Sequence, residues 1–379
     1  MIKTSLPLLQ LGRHKVLPVF QGGMGIGISA HRLSGAVAME GAVGTIASVD
    51  LRVHHADLMQ LSRRSKDYEL IDECNLEALD REIRLAREIA PDGFIAVNVM
   101  KAVGLYPELV VQACKSGANA IVMGAGLPLD LPDLVEGYDD VCLIPILSEE
   151  RGVRALLKRW KRKQRLPDAI ILEHPRYAGG HLGAKKMEEV SNSKYDFSRI
   201  IPKIKEIFRD MGIDDIPLIP AGGINSFESL KQLFDIGASG VQVGTPFAVA
   251  EEGDAHPVFK KVILDAGHDD IVTFMSTAGL PARAVRTPWL ERYLRKEKKL
   301  QSKASPDRNK CIGWAECLTY CGFRDGNPSV GQFCILKQLE AAVMGDYQRG
   351  LFFRGSEPLI FGKEIRSVRD ILKSLLTAT

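Results

Sequence analysis

Ile216-Pro-Leu-Ile-Pro-Ala-Gly-Gly-Ile-Asn-Ser-Phe227 runs through an amphipathic stretch into Gly240-Val-Gln-Val-Gly-Thr-Pro-Phe247. This reads as strand, glycine loop, helix, strand and a second glycine turn. Short apolar runs without polar alternation mark strands buried on both faces, as in a parallel sheet. The helix between them is the crossover that a parallel pair requires. Gly222, Gly223 and Gly244 would let backbone N–H groups approach an anion. In α/β barrels the loops after strands seven and eight frequently bind phosphate. Tight turns without a ligand are the plainer reading, but glycine sites at both strand ends favour phosphate.

The same unit recurs along the chain. Eight apolar runs fall at 16–21, 43–48, 94–100, 120–124, 141–147, 169–173, 216–220 and 240–244. Amphipathic patterns at 31–40, 76–90, 107–116, 149–163, 200–211, 227–236 and 257–266 fill the gaps. Only the gap from 126 to 141 is too short for more than a turn or two. This alternation predicts a (β/α)8 TIM barrel of the α/β class rather than a doubly wound sheet. Long polar excursions at 50–75 and 176–197 follow strands and are expected on the catalytic face, the first as a lid. His54 and His55, within the first, read as solvated. From about residue 267 the pattern changes to a basic helix at 289–300, a cysteine segment and a closing helix at 367–376. The expected division is a barrel over 1–266 and a helical, cysteine-containing C-terminal subdomain over 267–379.

The 379 residues exceed a typical barrel of about 250 by roughly half, which suits one appended subdomain. Hydrophobic residues at 45% can build a large core, and a net charge of +3 argues against bulk nucleic-acid binding. The apolar start is broken by Pro7 and Gln10, unlike a signal peptide. No apolar run approaches the roughly 20 residues that span a bilayer. A cytoplasmic location is expected. Seven cysteines there would be reduced, which favours ligation over disulfides.

Gln21-Gly22-Gly23-Met24-Gly-Ile-Gly27 follows the first strand. Its glycines would let a flat ring lie on the backbone, with the Met24 sulfur as a soft contact; a plain turn is the alternative. Glu173-His-Pro-Arg-Tyr-Ala-Gly179-Gly180-His181-Leu-Gly183 follows the sixth strand. Imidazole titrates near neutrality, so His181 can take or give a proton at carbon. His174, before Pro175, reads as structural. Four cysteines crowd into Cys311-Ile-Gly-Trp-Ala-Glu-Cys317-Leu-Thr-Tyr-Cys321 and nearby Cys334. Four thiolates can hold an iron–sulfur cluster or zinc, although the spacing matches neither common ferredoxin run. Unliganded thiols are the third reading. Lys158-Arg-Trp-Lys-Arg-Lys163-Gln-Arg165 is the densest basic stretch, either a solvated helix face or an electrostatic dock.

Pro18-Val-Phe-Gln-Gly-Gly-Met24, Val97-Asn98-Val99, Ala178-Gly-Gly-His181, Pro220-Ala-Gly-Gly-Ile224 and Gly240-Val-Gln-Val-Gly-Thr245 together resemble the nitronate monooxygenase superfamily. That superfamily also holds flavin-dependent enoyl-acyl-carrier-protein reductases. The resemblance covers the barrel and implies FMN. It implies that Gly22, Gly23, Met24 and Asn98 line the isoalloxazine, and that Gly222, Gly223, Gly244 and Thr245 hold the phosphate. Gly180 and Gln242 join the cofactor contacts, and His181 is the implied base or acid. Gly124-Ala-Gly126-Leu-Pro128, Pro281-Ala-Arg283-Ala284 and the four cysteines are most similar to a branch of acyl-carrier-protein dehydrogenase/isomerases with FMN and a [4Fe–4S] cluster.

The resemblance implies oxidation of a saturated acyl thioester on acyl carrier protein to the 2-enoyl form, followed by isomerisation. Oxygen is the expected electron acceptor, and Cys311, Cys317, Cys321 and Cys334 the expected cluster ligands. A homodimer, with no nucleic acid and no membrane, completes the expectation. Nitronate oxidation and NAD(P)H-dependent enoyl reduction are rival activities. A non-catalytic flavin protein with a cysteine switch is a rival of another class. The thioester oxygen needs a hydrogen-bond donor, for which Asn225 or a backbone N–H at 124–126 is the candidate.

Overall fold

The computed structural model describes residues 2–63, 65–311 and 317–378. Eight parallel strands close into a barrel: Val19–Gln21, Val43–Ala47, Phe94–Met100, Ala120–Gly124, Cys142–Leu147, Ile170–Glu173, Leu218–Ala221 and Val241–Val243. The ring shuts where Val241–Val243 pairs with Val19–Gln21. Every strand overlaps an expected apolar run.

Strand alternation sorts the side chains. Phe94, Ala96, Ala120, Val122, Ile144 and Ile171 fill the barrel, while Ile95, Val97, Ile121, Leu143 and Ile170 face the helices. Leu9, Leu11 and Val16 join the interior from an antiparallel hairpin, Leu9–Leu11 with His14–Val16. This hairpin plugs the end where the strands begin, so the first barrel strand starts at Val19 rather than at 16. The opposite end, where the strands finish, stays open for the site.

The 50–75 excursion is largely helical. It holds a one-turn 3-10 helix Leu51–His54, a helix Ala56–Ser62 and the start of a long helix Tyr68–Ile89. That helix begins eight residues before the expected 76 because Asp67 caps it, accepting from the Leu70 N–H. The expected solvation of His54 and His55 is corrected here. His54 Nε2 lies 2.9 Å from the Gly27 carbonyl, and His55 Nε2 lies 2.9 Å from Glu82 Oε1. Glu82 is fully buried and also meets His31 Nδ1 at 2.8 Å. A buried carboxylate needs such partners, and the polar look of the segment concealed them.

The helix Pro257–Asp265 forms where expected but does not close the barrel. It packs Phe259 and Ile263 against Val343 and Phe352 of a cap. The eighth helical position is taken by the last helix, Val368–Leu376, which sits between His31–Met39 and Phe227–Asp235. The chain leaves the barrel after its eighth strand, builds the cap and returns. A line at 266/267 therefore divides the sequence but not the structure. In the cap, the hairpin of Ile271–Met275 and Pro281–Val285 pairs with a short strand, Gly180–His181, from the sixth barrel loop.

The basic stretch ends at the far side of the barrel. Lys161 Nζ donates to the Met211 carbonyl, and Arg165 to the Val141 carbonyl and Asp168. Those partners lie where strands begin, whereas Lys163 Nζ donates to the Leu129 carbonyl at 3.0 Å, in the loop after the fourth strand. Among the described residues no helix is long and apolar enough to cross a membrane.

Candidate active site

Two cavities open at the C-terminal ends of the strands. The larger, of about 310 Å³, holds Gly23, Met24, Asn98, Gly180 and His181 in its wall. The smaller, of about 150 Å³, is lined by Gly22, Gly222, Gly223 and Ile224. Gly23, Met24, Glu173, Gly179, Gln242, Gly244 and Thr245 line both, so the two form one continuous groove. All ten residues read from the sequence as cofactor contacts thus border this groove.

Backbone geometry explains the glycines. A Cβ on Gly23 would stand 2.3 Å from the Asn98 Cβ, so only glycine lets the first loop reach the third strand's tip. The loop is tied down by Gly22 N–H to the Val243 carbonyl at 2.9 Å and by Met24 N–H to Ser29 Oγ at 2.8 Å. Gly222 has φ +105, a conformation that suits glycine and turns the chain after the seventh strand. Ser226 then starts the helix Phe227–Asp235 with a capping box to Ser229. Asn225 does not fill the role of thioester donor. It lines the smaller cavity, and its Nδ2 donates to the Pro358 carbonyl at 3.3 Å. Gly124 and Ala125 do border the larger cavity.

His181 faces that larger cavity from the short cap strand. Its Nε2 lies 2.9 Å from Ser276 Oγ, and its ring is 5.8 Å from that of Phe353. Burial alone lowers its pKa to about 4, so the imidazole is neutral at neutral pH. In the tautomer that donates Nε2–H to Ser276, Nδ1 keeps a basic lone pair. Ser276 Oγ also accepts the Ala278 N–H at 3.1 Å, which fixes the hydroxyl. Glu173, at the end of the sixth strand, is the second ionisable group of the groove. Burial raises its pKa to about 7. His174 is structural, with 2% exposure and Nε2 at 3.3 Å from Asp196.

A family model described as nitronate monooxygenase matches residues 10–378. The chain belongs to the nitronate monooxygenase family. A probable nitronate monooxygenase of Bacillus subtilis is 26% identical over 308 residues, covering 72% of this chain and 78% of that protein. The fold is shared with FabK from Thermotoga maritima, with a TM-score of 0.67 and 23% identity over 95% of this chain and 91% of that one. It is also shared with nitroalkane oxidase from Streptomyces ansochromogenes, with a TM-score of 0.63 and 17% identity over 94% of each chain.

This family member is an FMN-dependent oxidoreductase, and its groove fits the cofactor. The glycine-rich smaller cavity suits a phosphate held by backbone N–H groups. The close approach of Gly23 to Asn98 leaves both in the wall of the larger cavity, against which a flat ring can rest. Gly22, Gly23, Met24 and Asn98 would border the ring, and Gly222, Gly223, Gly244 and Thr245 the phosphate.

The [4Fe–4S] expectation finds no such support. Burial raises the pKa of Cys311, Cys317 and Cys334, and neighbouring cysteines add to each shift. Yet among the described residues no three His, Cys, Asp or Glu side chains are grouped to hold a metal ion. Instead, Cys317 lines the large cavity, and Cys321 is buried 3.5 Å from Thr277 Oγ1. Cys334 immediately precedes the helix Ile335–Val343, and residues 312–316 lie outside the described residues.

Sequence reading gave no role to Glu173, Ser276 or the cap residues Leu339, Leu351 and Phe353 that wall the cavity. An acid ending an otherwise apolar strand was the available signal for Glu173. Nothing local marks Ser276, which reaches His181 across 95 residues.

Proposed function

We propose that this enzyme oxidises a saturated acyl thioester, carried on acyl carrier protein, to its 2-enoyl form. The observation that carries this reading is the apolar wall of the His181 cavity. Val103, Ile146, Leu318, Leu336, Leu339 and Phe353 surround it, far more apolar surface than a small nitronate needs. Bound FMN would supply the hydride acceptor. Neutral His181 would take the proton from the α-carbon, with Ser276 holding the ring. Burial leaves the ring in the unprotonated state that this abstraction needs at neutral pH. The same base serves isomerisation by taking a proton at C4 and returning it at C2. Ala125 and Gly124 border the site where the thioester oxygen would need a donor.

Nitronate oxidation is the second reading, favoured by the family and by its relative in Bacillus subtilis. Replacing Leu339 by Trp separates the two. Filling the apolar wall should lower kcat/KM for a medium-chain acyl thioester on the order of tenfold or more. Turnover of propane-2-nitronate with oxygen, whose three carbons do not need this wall, should change little. Equal losses on both substrates would rule out an acyl chain along this wall.

A further inference from the structure

Thr277 is fully buried, lines neither cavity and follows the Ser276 that holds the base. The two residues begin the tight turn 276–279 between the cap strands. Ser276 N–H donates to the Leu280 carbonyl at 2.9 Å, and Gly279 N–H to the Ser276 carbonyl at 3.1 Å. Three further bonds fasten this turn to the cysteine segment. Gly322 N–H donates to the Thr277 carbonyl at 2.7 Å, and Phe323 N–H to Thr277 Oγ1 at 3.1 Å. Gly331 N–H donates to the Ser276 carbonyl at 3.2 Å. Cys321 Sγ lies 3.5 Å from the same Thr277 hydroxyl.

His181 is fixed to this turn twice. Its ring meets Ser276 Oγ at 2.9 Å, and its backbone pairs with Ala282 just beyond the turn. Thr277 therefore stands directly between the hydroxyl that orients the base and the contacts of Cys321, Gly322 and Phe323. We propose that Thr277 is a positioning residue that locks the 276–279 turn to the cysteine segment, so that His181 keeps its bond to Ser276 only while that segment is seated. The cysteine segment is then part of the base's support, and a displacement of Cys321 reaches His181 through two consecutive residues. This rests on His181 being the base of the proposed reaction.

The FMN-loaded enzyme, labelled with 15N-histidine, tests the coupling without any substrate. The His181 ring signals are assigned by their loss in His181→Gln. Thr277→Val keeps the side-chain shape and removes the hydroxyl. It should move the His181 ring signals towards those of Ser276→Ala, whereas Thr277→Ser should leave them in place. In turnover Thr277→Val should lower kcat on the order of ten- to a hundredfold with KM little changed, and Thr277→Ser should restore it. FMN content should be equal throughout, since Thr277 touches neither cavity. If Thr277→Val does not fold, Thr277→Ala carries the same expectation. Wild-type ring signals in the Val or Ala variant, with displaced signals in Ser276→Ala, would overturn the proposal. Displaced ring signals in an enzyme that oxidises nitronates alone would leave the coupling standing and remove only the acyl reading.

Discussion

His181 and Glu173 show how burial shifts two ionisable groups of one loop in opposite directions. Burial pushes the imidazole down to about 4 and the carboxyl up to about 7, so both favour their neutral forms. Glu173 matters most for the cofactor, because it borders the cavity suited to phosphate. Below pH 7 it is protonated and tolerates a nearby anion; above pH 7 its charge repels one. FMN affinity of the wild type should therefore fall as pH rises from 6 to 8, beyond any change seen in Glu173→Gln. Titrations of apoprotein with FMN would check this, and identical pH profiles for the two proteins would refute it. The place of His181 in the groove was readable because a histidine in a glycine-rich loop after a barrel strand has few structural duties. Glu173 was hidden because its pKa comes from cavity walls contributed by distant segments. Asn225 was misread because its loop position is right, but its side chain turns to Pro358.

Among elements, the helix Tyr68–Ile89 anchors the start of the helix His31–Met39 and the 50–75 excursion through one side chain. Burial acts to raise the pKa of Glu82, yet His31 and His55 outweigh it and hold the carboxyl at about 2. Burial likewise acts against His31, but Glu82 leaves its pKa raised above 6.5. The signs follow by linkage. Glu82 contributes stability that is present above pH 4.5 and is lost as pH falls towards 2. His31 contributes stability that is present below pH 6.5 and is lost as pH rises through its folded pKa. Removing one partner of a buried pair costs on the order of 3 kcal/mol. Glu82→Gln should therefore lower stability by about that much near pH 6 in urea denaturation, and flatten the loss between pH 4.5 and 2. An unchanged midpoint would show that the cluster is not stabilising. The sequence revealed the strands and glycine loops through local composition and period. It did not reveal this cluster, whose members lie on three separate helical segments, nor the early start at Tyr68 set by the Asp67 cap.

Over the whole molecule, the last helix completes the barrel and the cap completes the active site. Val368, Ile371, Leu372, Leu375 and Leu376 are all nearly or fully buried, and each such side chain is worth about 1.5–3 kcal/mol. Their sum rivals the roughly 5–15 kcal/mol that holds a whole domain folded. Deleting residues 367–379 should therefore abolish cooperative unfolding in urea; a truncated protein that still unfolds cooperatively and keeps its FMN would contradict the closing role. The eightfold alternation made the barrel legible, but an amphipathic helix at 257–265 and another at 368–376 look alike in sequence. Only packing decides which one closes the ring. The cysteines were legible as a group and not as a ligand set, because their spacing says nothing of how Cys317 and Cys321 face the cavity and Thr277. The central claim is that neutral His181 takes the α-proton of an acyl thioester in an apolar cavity, where bound FMN would accept the hydride. It is tested most directly by mixing the FMN-loaded enzyme without oxygen with a medium-chain saturated acyl carrier protein and following the flavin absorbance. The account predicts bleaching that oxygen reverses, and none with His181→Ala at equal FMN content. A wild-type flavin that stays oxidised with the thioester but bleaches with a nitronate would contradict it.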